Sequence, residues 1–172
     1  MACHGLVTHR QHILPGMPGA VSNRGPGHRW LKDSAPPMQS ETSPALRVVR
    51  EYLAALQAGV AGDDLARFFT PDAIQVELPN ALNPGGQTSD LPAILSRSLQ
   101  GRQVLASQTF EILGELAAGD NVAVEARWTG VLAIPLGALS AGAQMRAHFA
   151  MFFETREGLI HRQRNYDCFE KW

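Results

Sequence analysis

In the segment LIHRQRNYDCF, residues 159–169, Gln163, Asn165 and Asp167 fall at every second place, with Arg162, Arg164, Tyr166 and Cys168 between them. A strand sends alternate side chains to opposite faces, so the amides and the carboxyl share one face. Arginines seldom go inside unpaired, whereas two amides and one carboxyl can be satisfied by a small network. The amide-and-carboxyl face is therefore expected to point inward. A second run, AIQVELP (residues 73–79), sets Gln75 and Glu77 against Ile74, Val76 and Leu78 in the same alternating way. In a dry pocket a carboxyl titrates well above its usual value of about 4, which suits a general base or acid. The catalytic candidates are Asp167 and Glu77 as bases and Asn165 as an oxyanion partner. Gln75 and Gln163 are substrate-binding candidates, with Tyr52, Trp128, Phe149, Met151 and Phe153 as apolar walls, the usual make-up of a small-molecule pocket.

These residues also have a structural explanation. Carboxylates mostly pair or face solvent, so Glu77 can pair with Arg164 or Arg102, and Asp167 can accept hydrogen bonds at the mouth of the fold. Metal-ligand spacing, a phosphate loop and a nucleophile elbow are all missing from the sequence, so no metal and no cofactor is expected.

The elements that must carry these side chains are legible from Ser43 onward. Ser43-Pro44 is an N-cap followed by proline at the first helical position. Leu46, Val49, Tyr52, Leu53 and Leu56 then recur at helical spacing up to Gly59. GDDLARFF predicts a short helix that buries Leu65, Phe68 and Phe69. NALNPGGQTSD reads as a loop, and Asp90 caps a third helix bearing Leu91, Ile94, Leu95 and Leu99. The remainder reads as strands. Val122, Val124, Ala126 and Trp128 form one face of their strand, with Glu125 and Arg127 opposite. Met145, Ala147, Phe149, Met151 and Phe153 form one face of the next, with Arg146, His148, Phe152 and Glu154 opposite. Arg156-Glu157-Gly158 is a hairpin turn. Helices laid on one face of a curved antiparallel sheet make an α+β plan. Phe152 would be exposed on the outer face of a monomer, so a homodimer through that face is expected, with His148 in an interface or structural role.

The 172 residues suffice for one domain and a core, and the net charge of -1 gives no electrostatic case for nucleic acid or an anionic membrane. No apolar run approaches the roughly 20 residues that span a bilayer. Residues 1–43 stand apart. They are rich in proline and glycine, lack periodicity, and over residues 1–37 carry Arg10, Arg24, Arg29 and Lys32 against Asp33 alone. They are expected to be a disordered tail. An organelle transit segment, a metal tail built on His4, His9, His12 and His28, and upstream sequence ahead of a true start at Met38 compete for it. MQSETSPALRVVREYL opens like a short leader into a helix and favours the last. The domain proper is then 44–172. Cys3 and Cys168 read as free thiols in a reducing cytoplasm.

Over about three quarters of the chain, LARFFTPDAIQVELP, VAVEARWTG and FETREGLIHRQRNYDCF resemble the nuclear transport factor 2-like superfamily. Within it they resemble the SnoaL-like branch, which includes polyketide cyclases, ketosteroid isomerase-like and limonene epoxide hydrolase-like enzymes. The resemblance implies a cone, a bent antiparallel sheet wrapped around three N-terminal helices, with the last strand lining a deep apolar pocket. Where active relatives carry an acidic residue in an RDY-type motif, this chain has RNY with Asn165, and the carboxylate comes two residues later as Asp167. The epoxide-hydrolase pattern wants Arg and Asp inward on the VAVEARWTG strand, where parity puts Ala126 and Trp128; epoxide hydrolysis is therefore disfavoured. Two functions follow as expectations. One is a cofactor-free cyclase or isomerase acting on a small hydrophobic carbonyl compound. The other is a non-catalytic hydrophobic-ligand-binding or accessory dimer module.

Overall fold

Ser43 opens the first helix, α1 (Pro44–Gln57): its Oγ accepts a hydrogen bond from the Leu46 N–H at 3.1 Å. That N–H has no partner inside the helix, so the cap satisfies it. Val49, Tyr52 and Leu53 are buried on the inner face. Gly59, at φ +78°, turns the chain away from the helix end. GDDLARF (Gly62–Phe68) forms a 3₁₀ helix burying Leu65 and Phe68. The third helix, α2 (Leu91–Val104), is capped by Asp90, whose Oδ1 accepts from Ala93 N at 3.0 Å. Ile94 is buried, but Leu99 is half exposed and lies over Gly62. The structure, a computed structural model, describes residues 43–172. The expectations for the tail, its four histidines, Cys3 and Met38 lie outside the described residues.

Among the described residues six strands form one open sheet: β1 (Phe69–Glu77), β2 (Gln87–Asp90), β3 (Leu105–Ala118), β4 (Asn121–Leu132), β5 (Gln144–Arg156) and β6 (Leu159–Phe169), in the order β2-β1-β6-β5-β4-β3. Three expectations are corrected here. The sheet is mixed, not antiparallel, because β1 runs parallel to β6. No short turn joins these two strands, so nothing local dictates an antiparallel pairing. Within the expected loop, Gln87–Asp90 is a strand, pairing antiparallel to β1 and covering its free edge. The helices do not all precede the sheet either: α2 lies between β2 and β3.

Alternation survives across the sheet. Val122, Val124, Ala126 and Trp128 of β4 are buried, as are Met145, Ala147, Met151 and Phe153 of β5. Pairing aligns Phe153 with Gln163, Met151 with Asn165 and Phe149 with Asp167. On the other side of β6, Gln163 aligns with Gln75 and Asn165 with Glu77. One face of β1 and β6 thus continues the apolar face of β4 and β5 with polar groups. The helices pack against this face, where Tyr52 meets Phe69 edge-on with ring centres 5.1 Å apart. Arg162, Arg164, Tyr166 and Cys168 are exposed.

Candidate functional site

A cavity of about 270 Å³ opens between the helices and the inner face of the sheet. Its polar wall consists of Gln75 from β1, Gln163 and Asn165 from β6, and Arg97 from α2; Tyr52, Phe149 and Met151 form apolar walls. A larger cavity of about 550 Å³ adjoins it and shares Leu56, Ser98 and Gln108. Several predicted site residues therefore meet around one space. Four do not line it: Glu77, Asp167, Trp128 and Phe153. Phe153 is fully buried in the core. Trp128 stacks behind Phe149, ring centres 5.5 Å apart, and its Nε1 donates to Gln108 Oε1 at 3.0 Å. It supports the wall from behind.

The polar groups are ordered by one another. Gln163, only 3% exposed, donates from Nε2 to Asn165 Oδ1 at 2.9 Å, while its own Oε1 is buried without a partner. Asn165 Oδ1 accepts that bond, while its Nδ2 makes none among the described residues and can donate to a ligand. Glu77 is held at both oxygens. Asn80 Nδ2 donates to Oε1 at 2.7 Å, and Arg97 Nη2 donates to Oε2 at 2.6 Å. Its partner is thus neither Arg164 nor Arg102. Arg164 lies on the outer face, 3.5 Å from Glu154, and Arg102 donates to the Gly59 carbonyl. Both are carried away from Glu77 by their positions on β6 and at the end of α2.

Asp167 is the electrostatic outlier. Its Oδ1 is buried and has no hydrogen-bond partner. Burial pushes its ionisation up from 3.8 to about 7, and the negative charge of Glu77 adds to the effect. Near neutral pH the group is divided between acid and base forms. Tyr52 is the opposite case: complete burial drives its hydroxyl far above the ordinary range, so it stays protonated.

Sequence reasoning missed Arg97 and Gln108. Arg97 lies three residues after buried Ile94, hence on the same side of α2, a spacing that would have flagged it. Gln108 shares strand parity with Phe110, which packs on the core. Arg127 faces outward and pairs with Glu111 at 2.8 Å, so β4 does not present an arginine to the cavity. Among the described residues no group of three or more His, Cys, Asp or Glu side chains converges, and no helix is long and apolar enough to cross a membrane.

Residues 49–163 match the SnoaL-like domain family, about two thirds of the chain. The chain belongs to that family. No match is found among curated proteins. Among solved structures, the chain is similar to IdmH, a putative polyketide cyclase from Streptomyces antibioticus, at 19% identity and TM-score 0.60, covering 72% of this chain and 91% of that one. It is also similar to a putative polyketide cyclase from Xanthomonas campestris pv. campestris, at 21% identity and TM-score 0.61, over 73% and 90% of the two chains. AclR, a putative hydroxylase from Streptomyces galilaeus, matches at 12% identity and TM-score 0.61, over 74% and 80%. At these identities the likeness concerns the fold, and one fold hosts many chemistries.

Proposed function

We propose that the protein binds a small hydrophobic carbonyl compound in the inner cavity and moves a proton at the carbon next to the carbonyl, in an isomerisation or an aldol-type cyclisation without a cofactor. Asp167 is the acid/base. The observation that carries this is its buried, unpartnered carboxyl oxygen with ionisation near neutrality, two positions along β6 from cavity-lining Asn165. Inward positions two apart on a strand are separated by about 7 Å, so a substrate filling the cavity past Asn165 comes within reach of Asp167. Asn165 Nδ2 is the oxyanion partner, and Gln75 and Gln163 orient the substrate. Glu77, engaged on both oxygens, serves this reading better as the fixed charge that lifts Asp167 than as the base. The expected cone shape belongs to the same reading, supported by the breaks in register in β1, β3 and β6, where strands bend. The protein is taken to work in the cytoplasm as a homodimer through the outer sheet face, with Cys168 a free thiol.

The test is turnover of a β,γ-unsaturated cyclic ketone to its conjugated isomer, followed by ultraviolet absorbance. Asp167→Asn is expected to lower the rate by about 10²- to 10⁴-fold. Glu77→Gln is expected to shift the pH dependence instead. An undiminished rate in Asp167→Asn removes the acid/base role. One observation favours a second reading, a non-catalytic ligand-binding module: the lining of the cavity contains no carboxylate. That reading predicts ligand binding and no turnover in the wild type.

A further inference from the structure

Among the described residues, Arg97 is the one basic side chain that lines the inner cavity. We propose that Arg97 is a catalytic residue, its guanidinium and Asn165 Nδ2 together receiving the negative charge that develops on the substrate's carbonyl oxygen. The substrate class follows: carbonyl compounds that react through an enolate. The inference rests on the reading of the cavity as a reaction chamber. In the step, the C–H bond next to the carbonyl breaks and its proton passes to the Asp167 carboxylate. The electron pair forms the C=C bond, and the former C=O pair settles on oxygen, facing Arg97 and Asn165. Reprotonation by Asp167 at another carbon restores the starting charges.

The support is geometric. Arg97 is clamped in series. Leu82 N and Asn83 N donate to Asn80 Oδ1 at 2.9 and 2.8 Å, which fixes the Asn80 side chain in its loop. Asn80 then holds one oxygen of Glu77, and Glu77 holds Arg97 through the other. Arg97 Nη1 also approaches Ser89 Oγ at 3.5 Å, on the β2 side. A guanidinium carries five N–H donors in one plane, so these two partners leave donors free for a ligand. The side chain of Arg97 stays 32% exposed against 15% for Glu77, so the arginine is the more open member of the pair. Preorganised donors aimed at developing charge need no rearrangement during reaction, which is where such groups gain their catalytic effect. Glu77 thereby becomes a positioning residue for Arg97. Arg97 from α2 and the neutral phenol of Tyr52 from α1 line this space, while the carboxyls of Glu77 from β1 and Asp167 from β6 stand outside its lining. Glu77 opposes a new negative charge and Asp167 is neutral once it has taken the proton, so stabilisation of that charge has to come from Arg97 and Asn165.

The experiment uses 2-naphthol, whose ionisation is read by absorbance, with 2-methoxynaphthalene as a control that cannot ionise. Bound to the full chain, 2-naphthol is expected to be about tenfold more acidic than in water, the scale of one charge-assisted hydrogen bond. Arg97→Gln should abolish the gain and Arg97→Lys should keep part of it, while 2-methoxynaphthalene binds all three proteins alike. Asp167→Asn should retain the gain, because the assay needs no proton transfer to that residue. The proposal is overturned if Arg97→Gln ionises bound 2-naphthol as the wild type does. It is equally overturned if the wild type leaves 2-naphthol no more acidic, or does not bind it up to its solubility. If turnover survives Asp167→Asn while the naphthol effect depends on Arg97, the acid/base reading fails and the role of Arg97 stands.

Discussion

Among the described residues, Asp167 differs from the other carboxylates in having a buried oxygen that nothing satisfies. This has a consequence for stability that does not depend on catalysis. The folded protein keeps the Asp167 proton up to about pH 7, whereas the unfolded chain releases it near 3.8. Between those values the folded state binds more protons, so this group's contribution is most favourable below about pH 4 and is lost as pH rises through 7. Asp167→Asn has no proton to lose. It is expected to be more stable than the wild type at pH 8 by on the order of 2–4 kcal/mol, with the advantage vanishing near pH 4. Urea unfolding at the two pH values measures it, and equal stabilities at pH 8 would contradict the raised ionisation. At this scale the alternation of Gln163, Asn165 and Asp167 could be read from the sequence, because strand parity is a local property. The partner of Glu77 could not. Arg97 comes from another element, and neither parity nor spacing within β1 points to it.

The helices were legible for the same local reason: Ser43-Pro44 and Asp90 are caps acting within a few residues. The strand Gln87–Asp90 was hidden, since QTSD has no apolar alternation and forms only because β1 offers it an edge. The parallel pairing of β1 with β6 was hidden as well, being fixed by the path of the whole chain. Gly59 shows how an element end shapes the site. Its φ of +78° suits glycine, and a Cβ placed there would come within 3.2 Å of Arg102 Nη1, whose group also bonds the Gly59 carbonyl. Gly59→Ala is expected to destabilise the protein by about 1–2 kcal/mol, the cost of a left-handed conformation for an L-residue. Equilibrium denaturation should show it as a lower midpoint with an unchanged slope. A neutral result would mean that the end of α1 relaxes freely.

At the scale of the molecule, the sheet has two unlike faces. The inner face meets the helices and the cavity. On the outer face Phe152 and Tyr166 lie edge-to-face, ring centres 5.8 Å apart, and both are about 40% exposed or more. They border a groove of about 480 Å³ that also includes His148 and Cys168. Pairing of two such faces is expected to make the protein a dimer in sedimentation equilibrium, and Phe152→Glu to make it a monomer, since each interface would bury two like charges. A monomeric wild type at tens of micromolar would contradict the dimer. The expectation of this face came from one exposed aromatic residue beside Arg146, His148, Ala150 and Glu154 on the same parity, and the fold supplies its neighbour Tyr166 from the adjoining strand.

The central claim is that a carboxyl group poised near neutrality does the proton transfer beside the inner cavity. The pH dependence of β,γ-unsaturated ketone isomerisation tests it most directly. The account predicts a rate that rises with pH to a plateau, with its midpoint near 7, and that nearly vanishes in Asp167→Asn. A midpoint near 4, or a profile identical in Asp167→Asn, would contradict it.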